Sequence, residues 1–200
     1  MSNIVKEFET RVMLTEEEYL NIVSFYMKQY PNQHFLQNVN IYFDSDDLFL
    51  RTKHITLRVR IINDARCELT LKERGSNGDK EINDDLSKQE RDMLLDSGIF
   101  PNGNVKKYLI GLSYPLSNYK VITTLYNRRL EIAFEDHTLC IDKNQYSDIV
   151  DYNLEVEALD SIEVAKTRIN EYIKQFNLKL HIQKYAGKAS RAIMAAIKKA

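Results

Sequence analysis

The residue patterns in this chain with most chemical potential are like charges spaced two positions apart. Glu7 and Glu9 form one such pair, Glu155 and Glu157 a second, and Arg58 and Arg60 the basic counterpart. Each pair sits in a run that alternates apolar and polar residues, the period of a β-strand. Both members of a pair therefore project from one face, about 7 Å apart. Two like charges held this way repel unless something of opposite sign lies between them. Paired carboxylates suit a hard divalent cation, and paired guanidiniums suit an anion with several oxygens.

Sorting the other alternating runs by parity extends the set. In 4–14, Ile4, Phe8, Val12 and Leu14 oppose Glu7, Glu9 and Arg11; in 55–62, Ile55, Leu57, Val59 and Ile61 oppose Thr56, Arg58 and Arg60. In 66–74, Cys67, Leu69 and Leu71 oppose Glu68, Thr70, Lys72 and Arg74. Further on, Arg129 and Glu131 oppose Leu130 and Ile132, Asp142 opposes Ile141, and Glu155 and Glu157 oppose Leu154 and Val156. One reading is an ordinary antiparallel sheet with one hydrated face. The other follows from the tendency of large antiparallel sheets to curl and close. With the charged faces turned inward, the sheet would enclose a polar tunnel. Its acids would be Glu7, Glu9, Glu81, Asp142, Glu155 and Glu157, and its bases Arg11, Arg58, Arg60, Lys72 and Arg129. Enclosed charges must be paired. A site with both signs suits a ligand that also carries both, such as a polyphosphate with divalent cations.

The elements that must position these residues are legible in outline. Strands are expected over 4–14, 34–44, 55–62, 66–74, 79–86, 120–134, 139–143 and 149–159, with a turn at 75–78. Thr15 and Glu18 form a capping box. They open a helix that places Leu20, Val23, Tyr26 and Met27 on one face and stops before Pro31. Ser87 and Glu90 repeat the motif for a helix ending near Gly98. Helices are also expected over 105–112, 163–175 and 187–199. No strand–helix–strand repeat is present, so the sheet should be mainly antiparallel. The expected fold class is α+β, a closed eight-stranded antiparallel tunnel with helices packed outside, in one domain over 1–200.

Composition excludes several alternatives. At 200 residues, 44% hydrophobic and 28% charged, the chain has a globular profile rather than a disordered, collagenous or coiled-coil one. A net charge of −1 argues against a nucleic-acid or membrane-surface partner. Cys67 and Cys140 show no zinc spacing, and His34, His54, His137 and His181 are isolated, so none is expected to be catalytic. The Gly98–Gly103 spacing lacks the Lys-Ser/Thr of a phosphate loop. No signal-peptide pattern or membrane-length apolar run occurs, and a cytoplasmic protein is expected. Closing the sheet would remove one common route to dimers, and oligomeric state is otherwise not legible.

Taken in order, these residues resemble the motifs of the CYTH superfamily, the triphosphate tunnel metalloenzymes. Glu7-Phe8-Glu9-Thr10-Arg11 is similar to the opening Glu-x-Glu-x-Lys signature, and Tyr42-Phe43-Asp44 resembles the second-strand motif. Leu57-Arg58-Val59-Arg60 matches Leu-Arg-x-Arg, Leu69-Thr70-Leu71-Lys72 matches Thr-x-Lys, and Lys80-Glu81-Ile82 resembles the Arg-Glu-Ile hairpin return. Arg128-Arg129, Asp142 and Glu155-Val156-Glu157 look like the later basic strand, the lone aspartate and the closing Glu-x-Glu. Lys184-Tyr185, followed by Ser190-Arg191, is similar to the Lys-Tyr element before the last helix.

The resemblance implies a tunnel that hydrolyses or rearranges small-molecule triphosphates with Mg²⁺ or Mn²⁺. Family members include inorganic triphosphatases, thiamine triphosphatases and class IV adenylate cyclases. The length looks most like the single-domain bacterial triphosphatase branch. By motif match, Glu7, Glu9, Glu81, Asp142, Glu155 and Glu157 become candidate metal ligands or acid-side polar groups. Arg58, Arg60, Lys72, Arg129 and Lys184 become phosphate contacts, and Glu7, Glu9 and Arg11 the catalytic group. The chain departs from the pattern at Arg11, where the signature has Lys, at Asn83, where many relatives have Glu, and at Asn127, where some have a base. Arg11 and Asn83 keep a non-catalytic polyphosphate- or nucleotide-binding module in play. A cyclase would need a purine pocket, which no residue set declares.

Overall fold

The computed structural model describes residues 4–75, 78–179 and 186–199. Its centre is a closed antiparallel barrel of eight strands. These are β1 (Ile4–Leu14), β2 (Leu36–Asp44), β3 (Ile55–Ile62), β4 (Arg66–Glu73), β5 (Asp79–Leu86), β6 (Lys120–Ala133), β7 (His137–Tyr146) and β8 (Ile149–Ala158). Around the barrel they run β1-β5-β4-β3-β2-β6-β7-β8. Closure is made by β1, whose first half pairs with β5 (Glu7 opposite Asp79) and whose second half pairs with β8 (Arg11 opposite Glu155). The helices are α1 (Glu16–Gln29), α2 (Phe49–Thr52), α3 (Lys88–Ser97), α4 (Asn104–Gly111), α5 (Ile162–Gln175) and α6 (Lys188–Lys199). No helix among the described residues is long and apolar enough to cross a membrane.

The barrel wears its apolar face outward, because α1 to α5 supply the cover. Val12, Leu130, Ile141, Leu154 and Val156 pack with Ile22 of α1 and Ile169 of α5. On the opposite side Leu57, Val59, Leu69, Leu71 and Ile82 pack with Leu50, Leu94, Val105 and Leu109 from α2, α3 and α4. Fully burying each such side chain stabilises the fold by about 1.5–3 kcal/mol. The inward faces are thereby left to polar residues. Both expected capping boxes form, at Thr15/Glu18 and Ser87/Glu90, and Gly98 ends α3 in the left-handed region at φ 66°.

The structure amends the sequence expectations in four places. The buried face of α1 is Tyr19, Ile22 and Tyr26, with Val23 and Met27 at its margin, while Leu20 points to solvent. Leu20 lies one helical step, about 100°, off the stripe through Tyr19 and Ile22. β7 extends beyond 139–143 at both ends, because β6 and β8 continue to pair with it through the polar Asn144 and Gln145. The short α2 has no sequence signature. Its free N–H groups are taken from outside, Phe49 N–H donating to Ser45 Oγ and Leu50 and Arg51 N–H to the Asp44 carboxylate. Finally, α6 is not on the outside. Ala192 and Ile193 pack with Tyr42, Leu125 and Tyr146. Those three have the inward parity: Tyr42 pairs with Arg58, and Leu125 lies between Asn40 and Tyr146. Helix α6 therefore fills part of the barrel interior.

Candidate active site

The space left inside the barrel is a cavity of about 460 Å³. Its charges are sorted onto two arcs of wall. Glu7 and Glu9 of β1, Glu81 of β5 and Glu155 and Glu157 of β8 make the acidic arc. Arg58 and Arg60 of β3 and Lys72 of β4, joined by Arg129 of β6, make the basic one. This sorting follows from strand order, since β1 neighbours β5 and β8 whereas β3 neighbours β4 and β2.

On the acidic arc, Glu9, Glu155 and Glu157 offer carboxylate oxygens that all lie within 4.8 Å of one another. They are held by cations from three directions. Arg11 donates its Nε–H to Glu155 Oε1 at 2.7 Å and its Nη2–H to Glu9. Arg129 forks onto Asp142 at 2.8 and 3.0 Å and reaches Glu155 at 2.9 Å and Glu157 at 3.0 Å. Lys188, from the first turn of α6, bonds Asp142 at 2.8 Å and also Glu155. Burial works to raise the Glu9 pKa, but Arg11 and Lys72 overcome it and hold the carboxyl at about 2. Glu155 lies well below the usual range despite full burial, because Lys188, Arg11 and Arg129 surround it. Glu7 goes the other way: burial pushes it up to about 7, against the Lys72 ammonium at 2.7 Å, and the neighbouring Glu81 and Glu9 add to the rise.

The basic arc is less satisfied. Arg58 meets a carboxylate, Glu81, only at 3.9 Å, and its buried Nε has no hydrogen-bond partner. Arg60 reaches Glu68 and Asn40 Oδ1, each at 3.3 Å. Its pKa is nevertheless lowered, by burial first and then by the like charge of Arg58, with Arg129 adding to it. Arg60 is thus repelled by two guanidiniums, whereas nearby carboxylates raise the pKa values of Arg58 and Arg129. Lys72 bridges the arcs, at 2.7 Å from Glu7, 3.0 Å from Glu9 and 3.5 Å from Asp79.

Of the residues expected from sequence, Glu7, Glu9, Arg11, Arg58, Arg60, Lys72, Glu81, Arg129, Glu155 and Glu157 all line the cavity. Asp142 does not. It is fully buried behind Arg129 and Lys188, with Asn127 and Asn153 also donating to its oxygens, so it is a counter-ion to those cations with no face toward the cavity. Lys184 lies outside the described residues. Asn83 accepts from Thr70 Oγ1 at 2.7 Å and donates to Glu81 at 2.9 Å, so it orients that carboxylate. Asn127 belongs to a buried amide ladder with Asn38 and Asn144. Cys140 is buried, and burial lifts its thiol well above the usual range, leaving it unreactive. The residue that sequence reasoning missed is Lys188. Its helix reads as an ordinary amphipathic element, and nothing local reveals that its N-terminus enters the barrel.

A CYTH domain model matches residues 5–185. The chain belongs to the CYTH family. Membership carries an expectation of a divalent metal, and the donor set fits one: three carboxylates with convergent oxygens are the ligand type that hard cations select. Among CYTH relatives, the chain is 31% identical over 172 residues to a Bacillus subtilis protein named putative triphosphatase YjbK, covering 86% of this chain and 87% of that one. It is also similar to a solved Bacillus halodurans structure described as a putative adenylate cyclase, with a TM-score of 0.84, 33% identity and coverage of 94% and 97%. A Hippeastrum structure, described as a putative adenylyl cyclase with a dominant triphosphatase activity, shares the fold at a TM-score of 0.72 and 16% identity, with coverage of 94% and 95%.

Proposed function

We propose that this CYTH protein hydrolyses linear triphosphates, inorganic triphosphate first among them, to diphosphate and phosphate, with Mg²⁺ or Mn²⁺ as cofactor. The observation that carries the reading is the unmatched basic arc. Arg58 and Arg60 stand together with an unpartnered Arg58 Nε and a lowered Arg60 pKa, across the barrel from three convergent carboxylates. A phosphate chain laid along the basic arc would relieve that repulsion through charge-assisted hydrogen bonds. Lys72 then has a role at the junction. Hydrogen-bonded to Glu7, with Glu9 at 3.0 Å and Asp79 at 3.5 Å, its ammonium can share its three N–H groups between the acidic arc and the chain.

Glu9, Glu155 and Glu157 would hold the divalent ion, which when bound supplies charge neutralisation at phosphate oxygens and an activated water. Arg11 keeps Glu9 and Glu155 ionised and fixes their separation, since one fork reaches both. An arginine thus serves at this position because its planar fork spans two carboxylates where an ammonium offers a single point of charge. Preorganised charge of this kind is the main lever available in phosphoryl transfer. The name of the 31% identical relative supports the same activity.

The experiment is phosphate release from inorganic triphosphate, ATP and thiamine triphosphate, with Mg²⁺ or Mn²⁺, for the wild type and Glu9→Ala. Metal-dependent release that the variant loses supports the hydrolase and ranks its substrates. Thermal stabilisation by triphosphate without release points instead to a binding module. The absence of both release and stabilisation would overturn the site.

A further inference from the structure

The mouth of the cavity carries a second basic group that the deep site does not use. Arg51, His54 and Arg74 all line the opening on the β3–β4 side. Their backbones are knitted together: His54 N–H donates to Arg51 O at 3.0 Å, and Arg74 N–H donates to His54 O at 3.0 Å. The second bond follows the last β3–β4 pair, Ile55–Glu73, and Arg74 keeps the alternation of Lys72, while His54 turns the chain in the left-handed region at φ 59° and lines the cavity from there. Arg51 is placed by a buried anchor. Asp44, 2% exposed, accepts from Arg51 N–H at 3.0 Å and Leu50 N–H at 2.9 Å, and so holds the α2 turn against the end of β2.

What separates this group from the deep cations is its lack of counter-charge. Arg11, Lys72, Arg129 and Lys188 each bond two or more carboxylates. Among the described residues, the side chains of Arg51, His54 and Arg74 have no ion-pair or hydrogen-bond partner. The acid on the neighbouring wall, Asp79, is already engaged by Lys72 at 3.5 Å and by the Gly75 N–H at 3.3 Å. Along the strand, Arg74 stands about 7 Å further out than Lys72. A chain held by Arg58 and Lys72 would need a further phosphoryl group to meet the mouth.

We propose that Arg51, His54 and Arg74 form an outer phosphoryl subsite, so that the cavity takes linear phosphate chains of four or more units in preference to three. The proposal rests on the triphosphate reading of the deep site and adds to it a chain-length preference. A nucleoside triphosphate seated in the deep site would present sugar, not phosphate, to these residues.

The test is binding, which does not require turnover. Inorganic triphosphate and inorganic tetraphosphate are titrated calorimetrically into metal-free wild type, Arg51→Gln/Arg74→Gln and Arg51→Lys/Arg74→Lys, under identical conditions. The expected result is tetraphosphate binding about 10-fold tighter than triphosphate in the wild type, as a solvent-facing charge-assisted contact would give. The Gln pair should erase that preference while leaving triphosphate affinity within about twofold, and the Lys pair should restore most of it. Equal affinities for the two chains in wild type, or equal losses for both in the Gln pair, would overturn the subsite. Failure of hydrolysis in the phosphate-release assay, with this preference intact, would overturn only the enzymatic reading.

Discussion

Replacing Arg60 by Gln should make the protein more stable and less active. Arg60 is a charge that the fold holds at a loss: burial and the nearby Arg58 both push its pKa down, and Glu68 at 3.3 Å does not offset them. Gln is the informative substitution, because its Nε2 falls close to where the Arg Nε donates to Asn40 Oδ1, so that hydrogen bond is kept while the charge goes. Glu68 retains Arg66 at 3.7 Å. Replacing a whole enclosed ion pair by neutral groups is often stabilising by about 1–4 kcal/mol; here only the member disfavoured by its like-charged neighbours is removed, and its partner keeps Arg66. With the Arg60 side chain still 26% exposed, the low end applies. The expected gain is about 1 kcal/mol, or a Tm rise of roughly 2–4 °C at this chain length. The same substitution removes a charge-assisted phosphate contact of about 1.5–3 kcal/mol, a roughly 10- to 150-fold fall in kcat/KM for triphosphate. Melting curves with and without triphosphate, alongside phosphate release, read both effects. A Tm lowered by several degrees would make Arg60 a structural partner of Glu68 and refute the argument, as would unchanged kcat/KM.

The opposite sign is expected at Asp142→Asn, which strips charge from the carboxylate that Arg129 and Lys188 share in full burial. Breaking such a pair costs about 3–5 kcal/mol, and the melting curve should fall by roughly 10 °C. The metal-free protein should be most stable near pH 5. Below that, Glu9, held at about 2, loses its contribution as pH falls from 4.5 toward 2, because the unfolded chain binds the proton first. Above it, Glu7, raised to about 7, keeps its proton in the fold but not in the unfolded chain, so stability declines as pH rises from 4.5 to 7. That decline is worth about 3 kcal/mol before solvent screening, and Glu7→Gln should abolish it in denaturant titrations across pH. Chelation with EDTA should stop phosphate release and leave the melting temperature within a few degrees, since Arg11, Arg129 and Lys188 already balance the carboxylates. A collapse of the fold on chelation would contradict that balance.

Much of the site was legible in the chain itself, for a local reason. Strand parity has a period of two, so the sharing of faces by Glu7, Glu9 and Arg11, or by Arg58 and Arg60, needs no knowledge of the rest of the molecule. Capping boxes are equally local, and both formed where Thr15 and Ser87 stand. The β7 boundaries failed because its ends are held by partners on both sides, not by its own alternation. Parity puts Asp142 among the tunnel acids, and the motif match alone suggested a ligand, but parity says nothing of depth. Arg129 from the paired strand β6 and Lys188 from the distant helix α6 cover it. The same limit hid Lys188 and the entry of α6 into the barrel, whose contacts with Tyr42, Leu125 and Tyr146 exist only once the strands have closed. The alternating pattern of the chain determines which side chains must face away from the helices. Closure of β1 onto both β5 and β8 decides which of them meet, because only that long-range register brings Glu7, Glu9, Glu81, Glu155 and Glu157 onto one arc, away from Arg58 and Arg60 on β3.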